Sequence, residues 1–202
     1  MSNKYNIAVV GATGNVGREI VHILEQRDFP IDQVFCLASS RSKGKIINFK
    51  DQKITVEDLA EFDFSKVQIG LFSPGGKVSA EYVPQAVKKG CIVIDNTSHF
   101  RMNKDVPLIV PEVNGDSLQD FFDDNHRSNI IANPNCSTIQ MVVVLKPIHD
   151  VAIINRVVVS TYQSVSGAGK ESMDELFEQT KDIYTNKIVK KNKFTKQIAF
   201  NA

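Results

Sequence analysis

The stretch Asn133-Pro134-Asn135-Cys136-Ser137-Thr138 places a thiol in a polar turn. Proline closes the apolar run before it, and an apolar helix is expected to begin at or just after Cys136. Free N–H groups and the helix dipole favour an anion at such a start. A cysteine there is drawn toward its thiolate, the form that attacks a carbonyl carbon. Cys36 and Cys91 sit in the apolar runs Val34-Phe35-Cys36-Leu37 and Cys91-Ile92-Val93-Ile94. Those two read as buried strand residues acting as small hydrophobes. The three cysteines show no CxxC or metal-type spacing, so neither a disulfide nor a metal centre is expected.

A second chemical element lies near the N-terminus. Gly11-Ala12-Thr13-Gly14-Asn15-Val16-Gly17 falls between an apolar run and a helical pattern. Glycines there allow a tight turn and let backbone N–H groups approach a pyrophosphate. The spacing is GxxGxxG rather than GxGxxG, so its position between strand and helix carries the reading. A tight turn without a ligand is the alternative. The next apolar run ends in Ser39-Ser40-Arg41-Ser42-Lys43, with no acid between Gln33 and Asp51. An acid at that point would hold a ribose 2′-hydroxyl, whereas hydroxyls and two cations suit a 2′-phosphate. NADP is therefore expected over NAD, with a solvated basic loop as the alternative. A third run ends in Phe72-Ser73-Pro74-Gly75-Gly76, and Ser73, Gly75 and Gly76 are cofactor-site candidates because such sheets bind ligands at the carboxyl ends of their strands.

The elements that must position these groups alternate along the chain. Strands are expected over 6–10, 33–38, 68–72, 91–95, 129–132 and 154–162, with a hairpin at 45–48 and 53–56. Helices are expected over 15–26, 78–88, 116–123, 138–148 and 170–186. The helix at 138–148 is apolar all round, so burial on most sides is expected. Alternation of this kind implies an α/β fold, a Rossmann-type doubly wound and mainly parallel sheet covered on both faces. The boundary is placed at Asn133-Pro134-Asn135, giving domains 1–134 and 135–202.

Bulk properties set limits on partners. The 202 residues are 42% hydrophobic and 23% charged, an ordinary globular composition. Lys plus Arg number 24 and Asp plus Glu 23, so charge gives no reason to expect nucleic acid or an anionic membrane. No targeting segment or membrane span is visible, and a cytoplasmic location is expected.

Gly11 to Gly17, Ser40-Arg41-Ser42, Asp95-Asn96-Thr97-Ser98-His99-Phe100-Arg101, Val110-Pro111-Glu112-Val113-Asn114, Asn133 to Thr138 and Gln163-Ser164-Val165-Ser166-Gly167-Ala168-Gly169 occur in that order. Together they resemble aspartate-semialdehyde dehydrogenase over the whole chain. N-acetyl-gamma-glutamyl-phosphate reductase is similar in plan, but its members carry glycine before the cysteine, where this chain has Asn135. The resemblance implies that Cys136 forms an acyl thioester. It implies that Gln163 and Asn135 contact substrate and that Arg101 binds its phosphate. Gly11, Thr13, Gly14, Asn15, Val16, Gly17, Arg41 and Ser42 would hold NADP, with Ser166 and Gly167 over its nicotinamide end. The implied reaction converts 4-aspartyl phosphate to aspartate 4-semialdehyde, a step toward lysine (through diaminopimelate), methionine and threonine. The resemblance implies a homodimer as well, with 135–202 as the start of an α+β catalytic and dimerisation domain.

Members of that family continue past residue 202 and carry their catalytic histidine and substrate-carboxylate arginine in that later part. The histidines here are poor substitutes: His22 and His149 fall on expected helices, His126 in a polar loop, and His99 beside Arg101. A catalytically silent NADP-binding fragment is therefore the competing expectation for these residues alone.

Overall fold

The computed structural model describes residues 4–119 and 129–201. Its strands are β1 (Tyr5–Val10), β2 (Ile31–Ala38), β3 (Ile46–Phe49), β4 (Gln52–Thr55), β5 (Glu57–Asp58), β6 (Ile69–Phe72), β7 (Ile92–Asp95) and β8 (Ile130–Ala132). Its helices are α1 (Asn15–Gln26), α2 (Gly76–Lys88), α3 (Pro111–Asn114), α4 (Cys136–Val151) and α5 (Lys170–Tyr184). The helix expected over 116–123 runs into residues outside those described, and His126 lies there too.

Six strands form one sheet in the order β5-β2-β1-β6-β7-β8, and every pairing is parallel. The β3–β4 hairpin stands apart as an antiparallel pair. The chain leaves β1 toward β2 on one side and later fills β6 on the other. Right-handed crossovers then place α1 and α2 on opposite faces. Alternate strand residues accordingly feed two cores. Ala8, Val10, Phe35, Leu37 and Phe72 pack with Val83 and Ala86 of α2. Ile7, Val9, Val34 and Cys36 pack with Val21 of α1. Burial on both faces explains why these strands read as unbroken apolar runs. Each fully buried valine among them contributes roughly 1.5–3 kcal/mol. The doubly wound α/β expectation is thus borne out.

Contacts divide the chain into two compact units, Met1–Ile154 and Asn155–Ala202. That division falls later than residue 134, with α4 counted in the first unit. In the second unit, α5 carries a buried pair that fastens the segment after it. Glu175 accepts from the backbone N–H of Asn192 at 3.1 Å and of Lys193 at 2.5 Å. Gln179 Oε1 accepts from the N–H of Ile198 at 2.8 Å and of Ala199 at 3.2 Å, while its amide donates to Glu175 and to the Lys190 carbonyl.

Two expectations are corrected. Residues 153–164 form no strand, and Val157, Val158, Val159 and Tyr162 stand exposed. β-branched residues favour a pleated conformation, but a strand needs a ladder partner, and none pairs with this segment among the described residues. Helix α4 was expected to be buried on most sides, yet none of its residues is buried. Val144, Ile148 and Val151 are exposed, because no described element covers that side.

Candidate active site

Strand order reverses at β1, between β2 and β6, and the glycine loop leaves the sheet at that point. Gly11 takes φ +84°, and a Cβ there would lie 3.0 Å from the backbone of Pro74. Its N–H and that of Ala12 both donate to the Leu37 carbonyl, at 2.9 and 3.1 Å. The Gly14 N–H closes the turn onto the Gly11 carbonyl at 2.9 Å. A Cβ on Gly17 would stand 2.1 Å from that same oxygen, so only glycine lets α1 start this close to the loop. Gly14 is the N-cap of α1 and supplies no side-chain bond. Gly14, Asn15 and Val16 are exposed and Thr13 is half-buried. An uncapped helix start in a cradle that side chains would fill fits a pyrophosphate.

After β2 the chain makes a 3-10 turn over Ser40–Ser42. Thr13 Oγ1 lies 3.4 Å from Ser42 Oγ, joining this turn to the glycine loop. Arg41 is exposed and has no carboxylate partner among the described residues. Across the switch point, Ser73 donates to the Val10 carbonyl through both its N–H, at 2.9 Å, and its hydroxyl, at 3.3 Å. Gly75 caps α2 at φ +99°. A Cβ on Gly76 would come within 3.8 Å of Ser98 Oγ, so the loops after β6 and β7 are neighbours.

The loop after β7 turns on a buried carboxylate. Asp95 is fully buried and accepts from Ser79 Oγ at 2.9 Å, from Thr97 Oγ1 at 2.8 Å and from the Thr97 N–H at 3.2 Å. Its backbone carbonyl takes the N–H of Asn133 at 2.9 Å. Arg101 then reaches across. Its Nε donates to the Asn133 carbonyl at 2.8 Å and an Nη to the Asn96 carbonyl at 3.0 Å. No carboxylate, Asp105 included, pairs with it among the described residues.

Cys136 follows in the same turn as the first residue of α4. Asn135 is the N-cap, its Oδ1 accepting from the Ser137 N–H at 3.0 Å and lying 3.9 Å from the Cys136 sulfur. Cys136 is exposed, whereas Cys36 and Cys91 are buried. Burial pushes the Cys36 thiol up to about 11 and that of Cys91 to about 12. Cys136 is therefore the thiol that can meet a reagent from solvent. Glycine loop, Ser73–Gly76, Arg101 and Cys136 all stand at the carboxyl edge of one parallel sheet.

In the second unit, Gln163 precedes a 3-10 turn over Val165–Ala168. A Cβ on Gly167 would lie 3.3 Å from Gln163 Nε2, and Ser164 Oγ is 2.8 Å from Ser166 Oγ. Gln163, Ser166 and Gly167 thus form one local cluster at the start of α5.

Residues 6–121 match the family model for semialdehyde dehydrogenase, NAD binding domain, and residues 145–202 match that for semialdehyde dehydrogenase, dimerisation domain. The chain belongs to the semialdehyde dehydrogenase family. Its relatives within that family carry the name expected from the motifs. An aspartate-semialdehyde dehydrogenase of Legionella pneumophila is 54% identical over 202 residues, which is 100% of this chain and 57% of that protein. The crystal structure of aspartate semialdehyde dehydrogenase II complexed with ASA, from Vibrio cholerae, is 50% identical with a TM-score of 0.90, covering 99% of this chain and 58% of that one. A Candida albicans aspartate semialdehyde dehydrogenase with NADP is 26% identical with a TM-score of 0.63, covering 75% and 48%. The chain spans a little over half the length of the Legionella and Vibrio relatives and just under half of the Candida protein.

In this semialdehyde dehydrogenase chain the described histidines have local structural partners. His22 bonds Gln26 on α1 at 2.8 Å. His149 Nδ1 accepts from the Ile154 N–H at 3.2 Å, beyond the end of α4. The His99 ring stands edge-on to Phe100. Among the described residues no cluster could hold a metal ion and no helix is long and apolar enough to cross a membrane. Sequence reasoning passed over Ser79, whose hydroxyl satisfies Asp95. The signal was available: an acid ending an apolar strand must find buried donors. It also read Val110-Pro111-Glu112-Val113-Asn114 only as a motif. There Asn114 braces its own turn, accepting from the Val110 N–H at 2.8 Å and donating to the Leu108 carbonyl at 3.0 Å.

Proposed function

We propose that this chain is the cofactor-binding and nucleophile-bearing part of an NADP-dependent aspartate-semialdehyde dehydrogenase. It would act on 4-aspartyl phosphate through a Cys136 thioester to give aspartate 4-semialdehyde. The observation that carries the reading is the placement of exposed Cys136 at the start of α4, in a turn tied to Arg101 and on the same sheet edge as the glycine loop. A thiolate at a helix start attacks the acyl carbon, and phosphate leaves toward the Arg101 guanidinium. NADPH, when bound, supplies hydride to the thioester carbonyl. The hemithioacetal so formed collapses to the aldehyde, and the Cys136 thiolate is restored.

Gly11, Thr13, Gly14, Asn15, Val16 and Gly17 would cradle the pyrophosphate, with Ser73, Gly75 and Gly76 closing the crevice opposite. Arg41 and Ser42 would take the 2′-phosphate. Ser166 and Gly167 would lie by the nicotinamide, while Gln163 and the amide of Asn135 orient substrate. The ASA and NADP named for the Vibrio and Candida proteins support these roles, and the matched dimerisation model supports a homodimer. The reading also makes the protein a cytoplasmic enzyme of lysine, methionine and threonine synthesis, with 1–134 and 135–202 as its functional divisions.

The test is phosphate-dependent reduction of NADP with aspartate semialdehyde, run on protein carrying these residues together with a complete catalytic domain. Cys136→Ser should bind NADPH normally and lose turnover. Undiminished turnover in that variant overturns the mechanism.

A further inference from the structure

Three cations follow β2 in Ser40-Arg41-Ser42-Lys43-Gly44-Lys45, and the fold sends them to different places. The Ser42 N–H donates to the Ser39 carbonyl, that of Lys43 to Ser40, and that of Lys45 to Ser42. Gly44, at φ +84°, reverses the chain between the two lysines and donates to the Val56 carbonyl at 2.9 Å. Left-handed backbone of this kind favours glycine. Lys43 consequently pairs with Glu61 at 2.5 Å. Lys45 instead turns back, its Nζ lying 3.4 Å from Ser42 Oγ. The same hydroxyl lies 3.4 Å from Thr13 of the glycine loop. Among the described residues Lys45 has no carboxylate partner.

We propose that Lys45, rather than Lys43, is the second cation of the 2′-phosphate site, and that Glu61 holds Lys43 away from it. This inference rests on the NADP reading above. Ser42 is the junction: a phosphate accepting from its hydroxyl is within reach of the Lys45 ammonium, and Arg41, with no carboxylate partner among the described residues, precedes it in the same 3-10 turn. A phosphate drawn to Lys43 would instead meet the Glu61 carboxylate, and like charges at that range repel. Lys45 is thus a specificity-determining residue for the phosphorylated cofactor.

NADPH and NADH are titrated separately into the 202-residue chain by fluorescence, with circular dichroism confirming that each variant is folded. The unaltered chain should prefer NADPH. Lys45→Met should weaken NADPH about tenfold, the loss of one charge-assisted bond, and leave NADH within about twofold. Lys45→Arg should keep the preference, and Lys43→Met should leave the NADPH-to-NADH ratio unchanged. Equal losses from Lys43→Met and Lys45→Met would overturn the assignment, as would a Lys45→Met loss shared equally by NADH. An intact preference in Lys45→Met defeats this inference alone. An unaltered chain that binds NADH as tightly as NADPH defeats the NADP reading and the inference with it.

Discussion

Arg101 Nε donates to the backbone carbonyl of Asn133 at 2.8 Å, three residues before the reactive cysteine. With the second bond to Asn96, two of the five guanidinium N–H donors fix the side chain, and the others have no bond among the described residues. Cation and thiol are therefore set by one turn. In protein competent for turnover, Arg101→Leu should raise the Michaelis constant for phosphate in the reverse reaction by roughly tenfold or more. Arg101→Lys should recover part of that loss, since it keeps the charge but not the planar fork. If both variants keep the native phosphate constant, the guanidinium is only a tether.

Cys136 should be the one thiol labelled by limiting iodoacetamide near pH 8. Burial holds Cys36 protonated up to about 11 and Cys91 to about 12, and both are sealed from reagent. Peptide mapping of the folded protein reads the result. Equal labelling of the three cysteines contradicts it.

Gly17→Ala and Gly90→Ala should behave differently. The alanine methyl on residue 17 would lie 2.1 Å from the Gly11 carbonyl, forcing α1 off the loop, so NADPH affinity should drop roughly tenfold or more. A methyl on residue 90 meets nothing within 4 Å, and the φ of +85° there costs alanine about 1–2 kcal/mol of stability. Titration and denaturant melts separate the two. Similar losses of affinity in both variants would show that the close approach at Gly17 is unimportant.

Asp95→Ala should destabilise the first unit by on the order of 3 kcal/mol, because it strands the Ser79 and Thr97 hydroxyls in a dry site. Asp95→Asn should cost less, keeping an acceptor. Urea unfolding checks this, with the slope unchanged and the midpoint lowered. A midpoint within error of the native value for Asp95→Ala would mean the carboxylate does not organise the loop.

Glu175 links acidity to the segment after α5. Burial raises its carboxyl, but the N–H groups of Lys193, Asn192 and Phe194 and the Gln179 amide outweigh that and hold it below the ordinary glutamate range. A depressed carboxyl contributes stability that is present above its unfolded value, about 4.3, and is lost as pH falls through the folded one. Protection of the Asn192 and Lys193 amides, measured relative to their intrinsic exchange rates, should therefore fall as pH drops below the unfolded value. Glu175→Gln should show fast exchange there already at pH 7. Protection that ignores pH in the native protein contradicts the link.

The glycine loop, the end of β2 and the Cys136 turn were readable because each rests on local backbone chemistry: a left-handed glycine, an absent acid, a proline before a helix start. The doubly wound sheet was readable because strands buried on both faces leave unbroken apolar runs. Non-local facts were not. Residues 153–164 carry strand-forming types, but pairing is decided by what lies alongside. The apolar circumference of α4 likewise states a preference for cover without supplying it. Lys43 and Lys45 are indistinguishable as letters. Only the turn at Gly44 and the position of Glu61, 18 residues after Lys43, separate their roles. Asp95 was legible as the start of a motif but not as the acceptor of a hydroxyl from α2.

The sheet's two margins bear on how the molecule keeps to itself. On one side it ends in β5, two acidic residues long, Glu57 and Asp58. On the other, the outer backbone of β8 is engaged by the passing segment: the Ile109 N–H donates to the Ala132 carbonyl and the Ala132 N–H to the Pro107 carbonyl, both at 2.9 Å. A margin that is short and charged, or already hydrogen-bonded, offers no template to a foreign strand. Edge-to-edge growth of this sheet is thereby disfavoured where β5 covers Leu37 and Ala38 and where the passing segment engages Ala132.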